Sequence, residues 1–233
     1  CFLNTLYIDL KQVPNFSTCQ AAQSRFNSDE IQNKIAYAKQ TELIDYPAVA
    51  DIKFDILEIL FQDINNLSLE QQTEFTDFKT SQGNDLLQLA TFEALYEHFR
   101  KIDENTYGWP DWPVAFQAPD SDEVKAFQQT HSNRINYFCF VQWLAHRQLK
   151  SIAVQAKKSG MPIGLYLDLA VGCDGSGVDV WSDKDVYVAG AAVGAPPDAM
   201  NTIGQDWGLT PINPVALQKQ GYQPLVKALR SNM

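Results

Sequence analysis

The chain has 233 residues, enough for one large domain or two small ones, and its 45% apolar and 20% charged residues exclude a disordered tail. Its 18 basic residues against 28 acidic ones give a formal net charge of −10 with no basic stripe, which argues against nucleic acid and anionic membrane surfaces as partners. The most apolar segment, residues 137–145, is far too short for the roughly 18–20 residues of a membrane span.

The first 62 residues read as a short entry segment followed by helices. Residues 3–9 alternate between apolar and polar and suggest a short strand or an extended entry. Ser28 precedes two acidic residues, which is typical of a helix start, and a helix is expected over residues 31–44. Pro47 fits a first helical position, and apolar residues at three- and four-residue steps predict an amphipathic helix to about Gln62.

The pattern over residues 47–103 predicts an array of helical hairpins. Ser68 with Gln71 three residues later resembles a capping box, so a helix is expected to start there. Gly83 is expected to stop it, and Asn84 to cap the next helix, because glycine and asparagine favour helix ends.

A rigid loop is predicted over residues 105–119, because three prolines follow one another there. Ser121 is expected to begin another helix, and a long helical pattern then continues to Lys158, where Gly160 ends it.

Residues 163–169 form a short apolar run between a proline and a glycine cluster, which predicts a buried parallel strand with Asp168 at its C-terminal end. A helix, a glycine and a buried strand ending in aspartate form the repeating unit of an α/β barrel. Asp168 then lies either at a barrel mouth, where it would bond a polyol, or in a backbone cap with no other role.

Residues 170–214 hold seven of the 12 glycines and are too irregular for a core helix, so a functional loop region is expected. Within it, a proline-stiffened loop presents Asp198, Gln205 and Trp207. Carboxylates and amides bond vicinal hydroxyls and indole faces stack on sugar rings, so this set suits a sugar site. A surface loop with a buried tryptophan anchor is the alternative.

Two further patterns are interpreted as structural. The glycine-rich residues 172–177 lack the lysine of a phosphate-binding loop, so a turn is expected there. His98, His131 and His146 lie in helical stretches without metal-ligand spacing.

The cysteines Cys1, Cys19, Cys139 and Cys173 have no CxxC spacing, so the sequence does not support a zinc or redox site. Free thiols in a chain of this composition fit a reducing, cytoplasmic location.

The run of residues 160–213 resembles the 4-α-glucanotransferase family (amylomaltase, glycoside hydrolase family 77). Its signatures are the strand-end Asp168, Gly-Ala-Pro-Pro-Asp at 194–198 and Gly-Gln-x-Trp-Gly at 204–208. Similarity is weaker in the helix 137–144, in the loop 108–113 and back to residue 3.

The resemblance implies an α/β fold, namely a partial (β/α)8 TIM barrel of glycosidase type with a largely helical inserted subdomain. Residues 1–160 are then the inserted subdomain and a barrel helix, and residues 161–233 a barrel strand, the active-site loop region and a following helix. Family members run to ~500 residues, several domain lengths. A chain that opens on Cys1 is therefore expected to be an interior piece.

The implied activity is the transfer of α-1,4-glucan segments between maltooligosaccharides by a retaining double displacement, with a carboxylate pair about 5–5.5 Å apart. The resemblance implies that no metal or organic cofactor is needed. The nucleophile, the acid/base and the third carboxylate are expected beyond Met233, so no catalytic residue is assigned here. Residues 1–233 alone are expected not to disproportionate maltotriose.

The resemblance also assigns substrate-binding positions. Asp168 matches a strand-end aspartate near the donor sugar, and Asp198 matches the aspartate of the loop over the groove. Gln205 and Trp207 match groove-lining positions. Many members have aromatic residues at the two positions after the loop aspartate. Here these positions are Ala199 and Met200, so ring stacking is not expected there, although methionine can still make an apolar contact.

Two other functions stay open from the residues alone. One is a non-catalytic carbohydrate-binding module that uses Trp109, Trp112, Trp181 and Trp207, and the other is a helical interaction domain. A partial barrel exposes strand edges and apolar faces, so association of the chain is expected as well.

Overall fold

A computed structural model describes residues 2–188 and 190–232, so Cys1 and Met233 lie outside the described residues. Its α-helices are α1 (Gln20–Phe26), α2 (Asp29–Ala38), α3 (Tyr46–Gln62), α4 (Leu69–Ile102), α5 (Asp122–Thr130), α6 (Ser132–Lys158), α7 (Val178–Ser182), α8 (Pro214–Lys219) and α9 (Gln223–Asn232), and its strands are β1 (Cys173–Asp174), β2 (Val193–Ala195) and β3 (Gln205–Thr210).

The entry segment forms 3-10 turns at Thr5–Tyr7 and Leu10–Gln12, and the expected strand is absent there. The Asn4 side chain accepts a hydrogen bond from the backbone N–H two residues later, and Asp9 does the same. These side-chain bonds close turns, and a turn cannot pair as a strand. The short helix α1 that follows was not predicted.

The predicted helix starts are confirmed in the N-terminal region. The Ser28 hydroxyl accepts a hydrogen bond from Ile31 N–H at the start of α2, which ends at Ala38, earlier than expected. Pro47 lies in the first turn of α3, which ends at Gln62 as predicted. The predicted starts are therefore correct at both helices, whereas the predicted end is correct for α3 and too late for α2.

Helix α4 begins with the predicted capping box. Ser68 N–H donates to Gln71 Oε1 at 3.0 Å, and Gln71 N–H donates to Ser68 Oγ at 3.3 Å. Gly83 interrupts the helix with φ +55° and ψ −133°, which side chains with a Cβ rarely adopt. The predicted stop is thus a kink between two helical stretches.

The described residues divide into two compact units, each built from two stretches of chain. The first unit contains residues 2–86 and 136–164, and the second contains residues 87–135 and 165–232. The boundary between residues 160 and 161 stays a prediction.

An aromatic cluster forms the core of the first unit. Phe61 of α3 meets Tyr137 of α6 with ring centroids 5.5 Å apart, and Phe75 of α4 lies 5.4 Å from Trp143. Asn15 is buried in the same unit, and its Nδ2 donates to Leu60 O at 3.0 Å and to Asp63 Oδ2 at 3.2 Å. Its buried Oδ1 has no hydrogen-bond partner among the described residues, so the amide is only half satisfied.

The second unit has a separate core that closes over the proline-rich loop. Phe92 of α4 lies 5.1 Å from Trp112 and 5.7 Å from Trp181 between ring centroids. Trp181 is fully buried, and its Nε1–H donates to Phe116 O at 3.0 Å. The rings of the loop are therefore anchored in this core, and its rigidity stays a prediction.

The predicted parallel strand over residues 163–169 is wrong. The segment has no regular secondary structure, with Ile163 82% and Tyr166 89% exposed. A buried parallel strand needs a ladder partner beside it and helices over both faces. No described strand pairs with this segment, and the sheet of the described residues, in the order β1-β3-β2, is antiparallel.

In the portion of the chain that the structure covers, no helix is both long enough and apolar enough to cross a bilayer.

Candidate functional site

The hairpin of β2 and β3 carries four of the five predicted sugar-binding residues. Ala195 faces Gln205 and Gly194 faces Asp206, after which the register slips so that Val193 faces Leu209. Two residues of β3 between these pairs have no partner on β2, and the hairpin therefore contains a bulge that re-aims a side chain.

Trp207 is one of the two bulged residues. Asp206 Oδ1 accepts a hydrogen bond from Gly208 N–H at 2.8 Å, and Gly208 has φ +66°. This local turn shapes the bulge and leaves the indole 46% exposed. The alternative reading of Trp207 as a buried anchor is therefore wrong.

Gln205 and Trp207 are joined through their side chains. Trp207 Nε1–H donates to Gln205 Oε1 at 2.9 Å. The bond uses the amide oxygen as acceptor, and the NH2 group of Gln205 has no hydrogen-bond partner among the described residues, so it remains a donor beside an exposed ring. A donor next to an apolar face is the arrangement that a sugar ring requires.

Asp198 shapes the loop at the tip of the hairpin. Its Oδ1 accepts hydrogen bonds from Met200 N–H at 2.8 Å and Asn201 N–H at 2.7 Å, and its own N–H donates to Asn201 O at 2.9 Å. The second carboxylate oxygen has no hydrogen-bond partner among the described residues. Asp198 thus holds the turn with one oxygen and leaves the other available to a ligand.

Two glycines of the hairpin permit its close backbone packing. A Cβ on Gly194 would lie 2.0 Å from Gln205 O, and a Cβ on Gly204, whose φ is +76°, would lie 2.8 Å from Ala195 O. These positions admit glycine alone. Both glycines belong to the sequence motifs, but the steric reason for them could not be predicted, because it depends on the distance between the two strands.

Met200 is 96% exposed at the loop tip and contacts no core. Asp168 is exposed in the irregular segment before β1, and no hydrogen bond or ion pair links it to another described residue. The structure therefore brings Asp198, Met200, Gln205 and Trp207 onto one hairpin, and it does not join Asp168 to them.

The tryptophan platform of the carbohydrate-binding-module alternative does not form. Trp112 is 2% exposed and Trp181 is fully buried. Trp109 donates its Nε1–H to Gly175 O at 3.0 Å, and Lys184 Nζ lies 4.0 Å from its ring centroid. Only one of the four rings is therefore free to stack on a sugar.

Charged clusters do not suggest a metal site. No group of His, Cys, Asp and Glu within residues 2–188 and 190–232 could hold a metal ion. His131 stacks on Phe127 with centroids 3.9 Å apart, and burial lowers the pKa of His98 and of His146.

Comparison with known proteins decides the family. The sequence model of the 4-α-glucanotransferase family, glycoside hydrolase family 77, matches residues 1–233. The chain belongs to this family.

Curated 4-α-glucanotransferases show the same relationship. The chain is 36% identical to the enzyme of Haemophilus influenzae over 239 residues, which covers 100% of this chain and 34% of that protein. It is 31% identical to the Mycobacterium tuberculosis enzyme, covering 96% of this chain and 29% of that one. The chain thus spans about a third of these relatives.

Solved amylomaltase structures share the fold. The Corynebacterium glutamicum amylomaltase superposes with a TM-score of 0.76 at 29% identity, covering 99% of this chain and 30% of that one. The Streptococcus agalactiae amylomaltase, solved in complex with acarbose, gives a TM-score of 0.78 at 19% identity, covering 99% and 44%.

Proposed function

We propose that this chain is part of a 4-α-glucanotransferase that moves α-1,4-glucan segments between maltooligosaccharides. The observation that carries the proposal is the family match over residues 1–233. The exposed indole and amide of the β2–β3 hairpin support it, because they suit a pyranose ring.

The proposed reaction is a retaining double displacement. One carboxylate attacks the anomeric carbon while an acid protonates the departing glycosidic oxygen. The conjugate base of that acid then takes the proton of the 4-hydroxyl of a second glucan, whose oxygen replaces the carboxylate at the anomeric carbon. None of these catalytic carboxylates is assigned to a residue of this chain, and no cofactor enters the scheme.

The proposed role of this chain is to line the sugar groove. Asp198 accepts hydrogen bonds from sugar hydroxyls through its free oxygen, and Gln205 donates hydrogen bonds to them from its amide NH2. Trp207 stacks on a ring face. Met200 adds an apolar contact at the tip, and Asp168 bonds a sugar near the reacting bond.

We also propose the larger architecture. Residues 161–233 contribute to a (β/α)8 barrel of glycosidase type and its active-site loops, and residues 1–160 supply a mainly helical subdomain and a barrel helix. The likeness to the Corynebacterium glutamicum amylomaltase supports this arrangement. The exposed apolar side chains of residues 163–171 favour association of the chain, and the cytoplasmic location stays a prediction.

Sugar binding is tested by titrating the protein with maltoheptaose while the indole N–H signal of Trp207 is followed by NMR. We expect a saturable shift, and a loss of affinity of about three- to tenfold in Trp207→Ala, the size of one lost ring contact. Tyr107→Ala is the matched control, since this aromatic residue is 70% exposed and is not part of the hairpin.

The absence of any response at high millimolar sugar would contradict the proposal and favour the helical interaction domain. An equal loss of affinity in both variants would contradict the role of Trp207. In a longer protein that also carries the catalytic carboxylates, Trp207→Ala is expected to raise KM for maltooligosaccharides more than it lowers kcat.

A further inference from the structure

A concave pocket of about 440 Å3 lies within the first unit, where α1, α2 and α3 meet the entry segment. Its walls include the buried Ile8 and Ile52 and the half-buried Phe26 and Val49. Its volume falls in the range of small-ligand sites, which extends over about 300–1,000 Å3. None of the predicted sugar-binding residues lines it.

The charge at this pocket is opposite to that of the chain. Lys11, Lys39 and Lys53 line it together with a single acidic residue, Asp9. The whole chain has 18 basic residues against 28 acidic ones, so an excess of lysines is a local feature of this pocket.

Lys53 provides a fixed positive group in the wall. Its Nζ donates to Ile8 O at 2.8 Å and also to Leu6 O, so it bonds two peptide carbonyls. Burial lowers its pKa, and the nearby Asp9 opposes that shift. No carboxylate of the described residues forms an ion pair with Lys53.

The other two lysines are exposed and unpaired. Lys11 Nζ lies 5.5 Å from the ring centroid of Phe26, so a cation stands directly beside the apolar wall. Neither Lys11 nor Lys39 forms an ion pair within the described residues. Asp9, whose Oδ1 accepts the hydrogen bond of Lys11 N–H at 3.0 Å, offsets only one of the three lysine charges.

We propose that this pocket binds an amphipathic anion, whose apolar chain lies against Phe26, Val49 and Ile52 and whose carboxylate lies between Lys11 and Lys39. An apolar wall with cations beside it favours such a ligand over purely polar anions and over neutral apolar molecules. A bare phosphate would leave the wall unused, and a neutral apolar molecule would leave the lysines unused. The inference is independent of sugar transfer.

Calorimetric titration with linear carboxylates from butanoate to octanoate tests the proposal. We expect affinity to rise by about fourfold for each added methylene until the pocket is filled, the factor that a buried CH2 supplies. Methyl NMR signals of Ile52 and Val49 are expected to shift on binding, which places the ligand in this pocket.

The charge requirement is tested with the double variant Lys11→Met and Lys39→Met. We expect octanoate to bind about tenfold more weakly, because two solvent-screened charge contacts are lost. The affinity for 1-octanol is expected to change by less than about twofold. The matched control is Lys150→Met with Lys158→Met, which removes the same charge from exposed helix positions outside the pocket.

Several results would overturn the proposal. One is an affinity for carboxylates that does not depend on their chain length. Another is an equal loss of affinity for octanoate and for 1-octanol in the lysine double variant. The third is a loss of octanoate affinity in the control variant as large as that in the lysine double variant. Sedimentation that shows a two-copy complex dissolved by the lysine variant would assign the pocket to a second copy of the chain instead.

Discussion

Glu93 shows how one residue can carry a pH dependence that its neighbours do not. It lies on α4 between the buried residues Phe92 and Ala94, and burial raises its pKa to about 7. No hydrogen-bond donor reaches its carboxylate among the described residues. Its charged form is therefore disfavoured in the folded protein.

We expect Glu93→Gln to stabilise the protein at alkaline pH and to matter little at pH 5. The folded pKa lies above the ordinary value of 4.5, so the folded state holds its proton longer and loses stability as the pH rises from about 4.5 to 7. The gain at pH 8 is about 1–3 kcal/mol after allowance for the partly exposed side chain. Urea unfolding at the two pH values measures it.

The exposed Glu104 serves as the control, since Glu104→Gln removes the same charge without relieving burial. A gain for Glu93→Gln that is the same at pH 5 and pH 8 would show that burial of the charge is not the cause.

In the β2–β3 hairpin, two glycines of the sequence motifs are required by the backbone geometry. Gly194 lets β2 approach Gln205, and Gly208 gives the bulge its left-handed residue. The two glycines are therefore needed for different reasons, one steric and one conformational.

We expect Gly194→Ala to disrupt the hairpin more than Gly208→Ala does. At Gly194 the added Cβ meets a backbone oxygen at 2.0 Å, so the strands must separate. At Gly208 nothing lies within 4 Å, and only the left-handed φ is penalised, by about 1–2 kcal/mol. Hydrogen exchange of the β3 amides reports the difference, and equal exchange in the two variants would contradict it.

Across the whole molecule, charge repulsion outweighs the surface ion pairs. The net charge of −10 disfavours compaction. Ion pairs such as Arg25 with Glu30 at 2.6 Å and with Asp55 at 2.7 Å are partly exposed to solvent, so each is expected to contribute little.

We therefore expect the melting temperature to rise by a few degrees between about 0.02 and 0.5 M NaCl, because salt screens the repulsion at all distances beyond the Debye length. Thermal melts followed by circular dichroism measure the change, with choline chloride as the check that the sodium ion itself is not bound. A melting temperature that falls with salt would mean that the ion pairs dominate.

The sequence by itself determined the family, the break at Gly83 and the caps at Ser28, Ser68 and Ser121, where each hydroxyl accepts a hydrogen bond from a backbone N–H three residues later. These are local properties, because a cap or a left-handed glycine depends on a few neighbouring residues. The motif residues of the hairpin were visible for the same reason.

Only the tertiary structure decided which apolar residues are buried. Trp112 and Trp181 are in the core while Trp207 is exposed, although all three look alike in the sequence. The run 163–169 has the composition of a buried strand and is irregular, since no described strand pairs with it. Burial and strand pairing depend on partners distant in the chain, and local composition does not specify them.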